Sequence, residues 1–182
     1  MIDEGFSPAS VGRALAMVGH ATCVDRVYVF ECQPGPPGVG LLASQRYEWN
    51  SDGTVAQIDN PKLQEVPLRE MAPGWEGDLT RGEPIEVRTR EAAPPLRELL
   101  TSQQILSLLV CPITAGPELW GFVGFDDCRR ERTWPERELA VLRALARSFG
   151  GALRHVKMRA SLAQTRSSLR DAIRRSDVPP SR

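Results

Sequence analysis

The sequence predicts an α+β fold, an antiparallel β-sheet carrying helices on at least one face. Three observations support this. Apolar, β-branched and aromatic runs occur as two successive pairs, each pair joined by a connection rich in Pro and Gly. Amphipathic helical segments stand at both ends of the chain. Between the two pairs, residues 56–105 alternate short apolar patches with Pro, Gly and charge, and contain no long periodic element.

In chain order, "PASVGRALAMVG" places Val11, Leu15 and Val18 at i, i+4 and i+7, one face of a helix that Gly19 can end. "VDRVYVFEC" is β-branched and aromatic and predicts a strand, with Val27 and Val29 on one face and Tyr28 and Phe30 on the other. "QPGPPGVG" reads as a loop, because prolines remove ladder donors. "LLASQRYEWN" predicts the partner strand, stopping at "NSDG". The middle segment predicts short helices around Pro67–Met71, Trp75–Arg81 and Pro95–Gln103, with a short strand around Ile85–Arg88. A stretch of this kind inside a compact domain points to a lid or ligand-lining crossover, the alternative being an insertion without a role. "SLLVCPIT" and "LWGFVGFDD", joined by "AGPE", predict a central hairpin. In "RTWPERELAVLRALARSFGGAL", Thr133 and Glu136 have capping-box spacing, with Pro135 in the first turn. Leu139, Leu142, Ala146, Phe149 and Leu153 follow at helical spacing. A thinner apolar stripe through Val156, Ala160, Leu162, Ala163, Leu169 and Ile173 carries the helix on. A stripe that thin, on a polar and basic helix, calls for a partner, most simply a second copy of itself.

Composition bounds the function. The chain has 182 residues, 41% hydrophobic and 25% charged, with 23 basic and 23 acidic side chains. That is enough for one domain with a substantial core and an extra helix. Residues 154–182 hold eight Lys or Arg against two Asp, a net of +6. No aromatic residues accompany these cations, so they read as a solvated helix face, and no nucleic-acid partner is expected. No run approaches the ~18 consecutive apolar residues of a membrane span, and the N-terminus lacks a secretory signal pattern, so a cytoplasmic chain is expected. Cys23, Cys32, Cys111 and Cys128 lack C-x-x-C spacing and read as buried free thiols.

"VDRVYVFE", "RYEW", "PLREMAPGW", "LTRGEPI", "QQILSLLVCPI", "LWGFVGFDDCR" and "RTWPERELAVLRALA" resemble, in that order, a bacterial GAF domain. The likeness is to the modules that precede histidine kinase or cyclic-dinucleotide output domains, and it spans about residues 10 to 155. It implies a six-stranded antiparallel sheet with terminal helices on one face and a crossover lid over a small-molecule pocket on the other. It further implies a sensory domain over 7–155, a signalling and dimerisation helix over 156–176, and a flexible tail over 177–182. The expected partners are a second copy, met through the terminal helices, with room for a small-molecule ligand and an output domain in cis. Matched to tetrapyrrole-binding relatives, the pocket face falls on Tyr28, Phe30, Leu108, Val110, Phe122, Gly124 and Asp126, with Trp75 and Leu79 from the lid. Asp126 would orient the ligand. Asp127 and Cys128 are expected in the turn that leads to the Thr133 cap.

Other chemistry finds little support in the sequence. Residues 50–105 contain neither Cys nor His, against a covalent bilin or a heme in the crossover. His20 and His155 fall on the terminal helices. Cys111 is expected on the helix side and Cys128 past the strand end, against a thiol reductase of this fold. Metal-ligand spacing and phosphate-binding glycine loops are absent. The reading is therefore a non-catalytic sensory module of two-component or related signalling. A ligand-free interaction module is the alternative and a thiol-dependent reductase the minor one.

Overall fold

The computed structural model describes residues 7–176, with side chains described through 170; the expected tail over 177–182 lies outside the described residues. Six strands form one sheet: β1 (Arg26–Pro34), β2 (Leu41–Asn50), β3 (Val66–Pro67), β4 (Ile85–Arg88), β5 (Ser107–Ala115) and β6 (Glu118–Asp127). Their spatial order is β3-β2-β1-β6-β5-β4, and every pairing is antiparallel. Helices α1 (Pro8–Thr22) and α5 (Glu136–Ser176) cover one face. The crossover, with α2 (Leu68–Met71), α3 (Trp75–Thr80) and α4 (Leu96–Ser102), covers the other.

Strand alternation divides the interior into two cores. On the helix side, Val27, Val29, Val123 and Phe125 pack with Leu15, Leu142 and Phe149. On the crossover side, Tyr28, Phe30, Leu108 and Phe122 pack with Leu79 and Leu96. Burial of each such side chain stabilises the fold by about 1.5–3 kcal/mol, and polar groups would interrupt either layer. Helix α5 approaches β5 so closely that a Cβ on Gly150 would lie 2.2 Å from the Thr114 carbonyl oxygen.

Several expectations need correction. Helix α1 runs through Gly19 and ends at Thr22, with Cys23 in the left-handed conformation (φ 52°) as its C-cap. Gly19 instead makes room for the Trp49 ring, which a Cβ there would meet at 2.1 Å. Thr133 is exposed and does not cap α5, which starts at Glu136. The backbone N–H groups of Glu138 and Leu139 turn back to the Pro135 carbonyl. The chain before the helix is held extended because Trp134 packs on Phe125, and its backbone N–H donates to Glu86. Asp127 is not in a turn: it is the last residue of β6 and fully buried. There it accepts the backbone N–H groups of Arg129 and Arg130 (3.1 and 2.8 Å) and faces Arg132. Pro67 belongs to the two-residue β3, so α2 begins one residue later than expected.

Candidate ligand-binding site

On its crossover face the sheet presents Tyr28 and Phe30 from β1, Leu108 from β5, and Phe122 from β6. Antiparallel pairing puts Phe30 opposite Phe122, and their rings stack with centroids 4.8 Å apart. Tyr28 meets Phe30 edge-on at 5.7 Å, and Trp75 of α3 meets Phe122 edge-on at 6.1 Å. These are the favoured arrangements for aromatic quadrupoles. Between this aromatic floor and Met71, Leu96, Leu99 and Leu100 of the crossover lies a cavity of about 40 Å³.

One end of the cavity is polar. Arg26 and Asp126 lie directly opposite each other on β1 and β6, and both are buried. Arg26 Nη1 donates to Asp126 Oδ2 at 2.9 Å, its Nε lies 3.1 Å from Glu48 Oε1, and its Nη2 donates to the Val55 carbonyl at 2.8 Å. Burying a guanidinium costs several kcal/mol unless it is paired and fully hydrogen-bonded, and here its donors are met. The Tyr28 hydroxyl also hydrogen-bonds the Asp126 carboxylate. Burial pushes the Asp126 carboxyl up to about 6, and the attraction and hydrogen bond of Arg26 only partly offset this. Burial also pushes Tyr28 well above its ordinary value, with the neighbouring Asp126 charge adding to the shift. Gln45, likewise buried, lines the cavity with an unpartnered Nε2.

Tyr28, Phe30, Trp75, Leu108, Phe122 and Asp126 all line the cavity. Leu79, Val110 and Gly124 do not. Leu79 and Val110 are fully buried in the surrounding apolar cluster. At Gly124 the space belongs to the Tyr28 ring, whose Cζ would lie 2.3 Å from a Cβ. The sequence reading missed Arg26, Gln45, Gln103 and the α4 leucines. The same alternation that exposed Tyr28 and Phe30 also places Arg26 on the cavity face, but a charge at that position reads as solvent-facing. Gln45 was hidden by a β-bulge. The register with β1 shifts between Val29 and Phe30, so Gln45 lines the cavity and Ala43 joins the core on that side, whereas Tyr47 and Trp49 pack on the helix side.

Two of the four thiols are separated by the sheet. Cys32 belongs to the cavity-side core and Cys111 to the helix-side core, on opposite faces of the sheet. Burial pushes both thiols up to about 12 and Cys128 up to about 11, which leaves little thiolate at neutral pH. Cys23, expected buried, is exposed at the end of α1. His20 packs edge-on against Trp49, and His155 is exposed on α5. Among the described residues, no group of three or more His, Cys, Asp or Glu could hold a metal ion, and no helix is long and apolar enough to cross a membrane.

The model of the GAF domain family matches residues 10–153. A methanogenesis regulatory histidine kinase, FilI, from Methanothrix harundinacea is 38% identical over 159 residues. That match covers 87% of this chain but only 18% of the kinase, so the chain spans about a fifth of its relative's length. Among solved structures, the blue-light-absorbing form of the Thermosynechococcus elongatus PixJ GAF domain is similar, with a TM-score of 0.72 at 19% identity. It covers 90% of this chain and 92% of that one. A phycocyanobilin-bound GAF domain from a cyanobacterial phytochrome is similar with a TM-score of 0.69 at 18% identity, covering 87% and 90%.

Proposed function

Because the chain belongs to the GAF domain family, we propose that it is the sensory module of a signal-transduction protein. A small molecule in the cavity biases the arrangement of a dimeric helix, which relays the change to an output domain in cis. Relatedness to a regulatory histidine kinase supports an output of the two-component type. On this reading residues 7–155 sense and residues 156–176 transmit.

The observation that carries the proposal is the course of α5. Its first half is tied to the sheet through Leu142, Phe149 and Leu153. Beyond Leu153 every described side chain is exposed, including Met158, Leu162 and Leu169 at 62, 59 and 61%. These three fall at i, i+4 and i+11, one stripe of the helix; the side chain of Ile173, expected to extend it, lies outside those described. One rigid element thus joins the sensory sheet to an uncovered apolar seam, as a two-fold pairing of helices requires. A ligand shifts such a pair only if it binds one arrangement more tightly than the other. Light scattering tests the pairing: the whole chain should be a dimer, and removal of residues 157–182 should weaken it. A monomer at high concentration would count against the relay.

The bilins of the photoreceptor neighbours do not fit here. The crossover has no Cys or His to hold one. The cavity's about 40 Å³ is room for about three waters, far below the roughly 300–1,000 Å³ of pockets that hold drug-sized molecules. The same small volume favours a second reading, an interaction module with no ligand. Native mass spectrometry of protein purified from its own source separates the two, since a retained small molecule excludes the second.

A further inference from the structure

Resting on the reading of the cavity as a ligand site, we propose that residues 51–60 form a strap that opens independently of the sheet and admits the ligand beneath it, latched shut by the buried side chains of Arg26 and Glu48.

The strap leads from β2 towards the crossover, yet it belongs to neither core. None of residues 51–60 is buried, none packs into either apolar cluster, and Val55 is 63% exposed. A segment without buried apolar contacts opens at far lower cost than the sheet beside it. Polar contacts hold it instead. The Glu48 carboxylate accepts the backbone N–H groups of Gln57 at 2.8 Å and Ile58 at 3.0 Å, and Arg26 Nη2 donates to the Val55 carbonyl at 2.8 Å. On the outer side Arg129 Nη2 donates to the Asp52 carbonyl at 2.7 Å. The side chains of Arg26 and Glu48 are only 2 and 1% exposed and lie 3.1 Å apart, so the latch is fixed to the sheet while the segment it holds is not. Ser51 is the natural hinge, since its N–H donates to the Asp25 carbonyl. The N–H groups of Thr54 and Asn60 bond within the strap itself.

Beneath the strap lies a way into the cavity. A void of about 210 Å³ is bounded by Gly53, Thr54 and Val55 of the strap and by Gln104, Cys128 and Arg129. Arg26 and Gln103 border both this void and the ligand cavity, so their side chains form the partition between the two. Cys128 packs against the cavity-side core from the same void. Lifting the strap takes the Val55 carbonyl away from Arg26 and uncovers that partition. On the crossover side the cavity is walled by Leu63, Leu96 and Leu100, all buried, whose displacement would break up the apolar cluster.

Native-state amide exchange on the whole chain tests the strap, and xenon tests the route. The amides of Gln57 and Ile58 should exchange at least about a hundredfold faster than those of Val27 and Val123 in the central strands. Glu48→Gln should speed the two strap amides by about another tenfold and leave the strand amides unchanged. If Glu48→Gln does not fold, Arg129→Met, at a side chain 60% exposed, releases Asp52 and should speed them severalfold. Strap amides that exchange only as slowly as the strand amides overturn the proposal. Xenon enters dry apolar cavities, and there it should shift the methyl signals of Met71 and Leu99, whose line shapes report its exchange rate. Releasing the strap should raise that rate about tenfold. Cys128→Phe, which fills part of the void, should lower it severalfold. A xenon rate indifferent to both changes overturns the strap as the entrance while leaving the cavity a ligand site. Absence of any xenon shift overturns the reading of the cavity, and the entrance with it.

Discussion

Replacing Asp126 by Asn removes a charge while keeping the side chain's shape, and the expected effect on stability depends on pH. The carboxyl rises from an ordinary 3.8 to about 6 because desolvation outweighs the help of Arg26. At about 1.4 kcal/mol per tenfold change in proton affinity, that rise is worth about 3 kcal/mol. The folded state holds this proton more tightly than the unfolded chain does. The resulting stability is therefore complete below about pH 3.8 and lost as pH rises through about 6. This is the reverse of a surface carboxylate in an ion pair. Asn cannot titrate, so the stability of Asp126→Asn relative to the parent should improve by about 3 kcal/mol between about pH 4 and pH 8. The absolute offset also contains the lost hydrogen bond to Arg26, so the slope is the quantity to read. Urea unfolding at fixed ionic strength, followed by the fluorescence of the four tryptophans, measures it. A difference that is flat with pH, or that moves in the parent's favour as pH rises, refutes the reasoning.

Arg26→Met leaves two buried carboxylates facing each other and should cost about 3–5 kcal/mol near neutral pH. In thermal unfolding that is a fall of roughly 10 °C, partly recovered at low pH as Asp126 protonates. Two adjacent glycines of α5 should behave oppositely. Gly150→Ala drives a Cβ into the Thr114 carbonyl and should destabilise by about 1–3 kcal/mol. Gly151→Ala meets nothing within 4 Å and should gain up to about 1 kcal/mol of helix propensity. Denaturant midpoints of the two variants check both signs at once.

The fold was legible wherever one residue's environment repeats at a fixed period. Val27 and Val29 against Tyr28 and Phe30 divide correctly between the two cores because β1 alternates without interruption. The stripe from Leu142 to Leu153 identifies α5 for the same reason. What escaped depends on partners distant in sequence. Arg26 is intelligible as a buried residue only once Asp126, a hundred residues away, stands opposite it. Gln45 reached the cavity face through a bulge, and period-2 reasoning cannot see an inserted residue. Thr133 lost its capping role to the burial of Trp134, a tertiary contact that overrides a local motif. The cavity lining followed from strand parity, whereas Leu79 and Gly124 were displaced from it by packing that no spacing records.

The contact of Gly150 with Thr114 also sets the mechanics of the long helix. It fixes a fulcrum at the tip of the β5–β6 hairpin, on the same two strands that carry Leu108, Phe122 and Asp126. From Gly150 to Ser176 the helix extends about 39 Å at about 1.5 Å per residue. A tilt of about 5° at the fulcrum would carry its far end about 3 Å sideways. Displacements of the floor residues too small to alter the fold would thus be magnified at the far end of the helix.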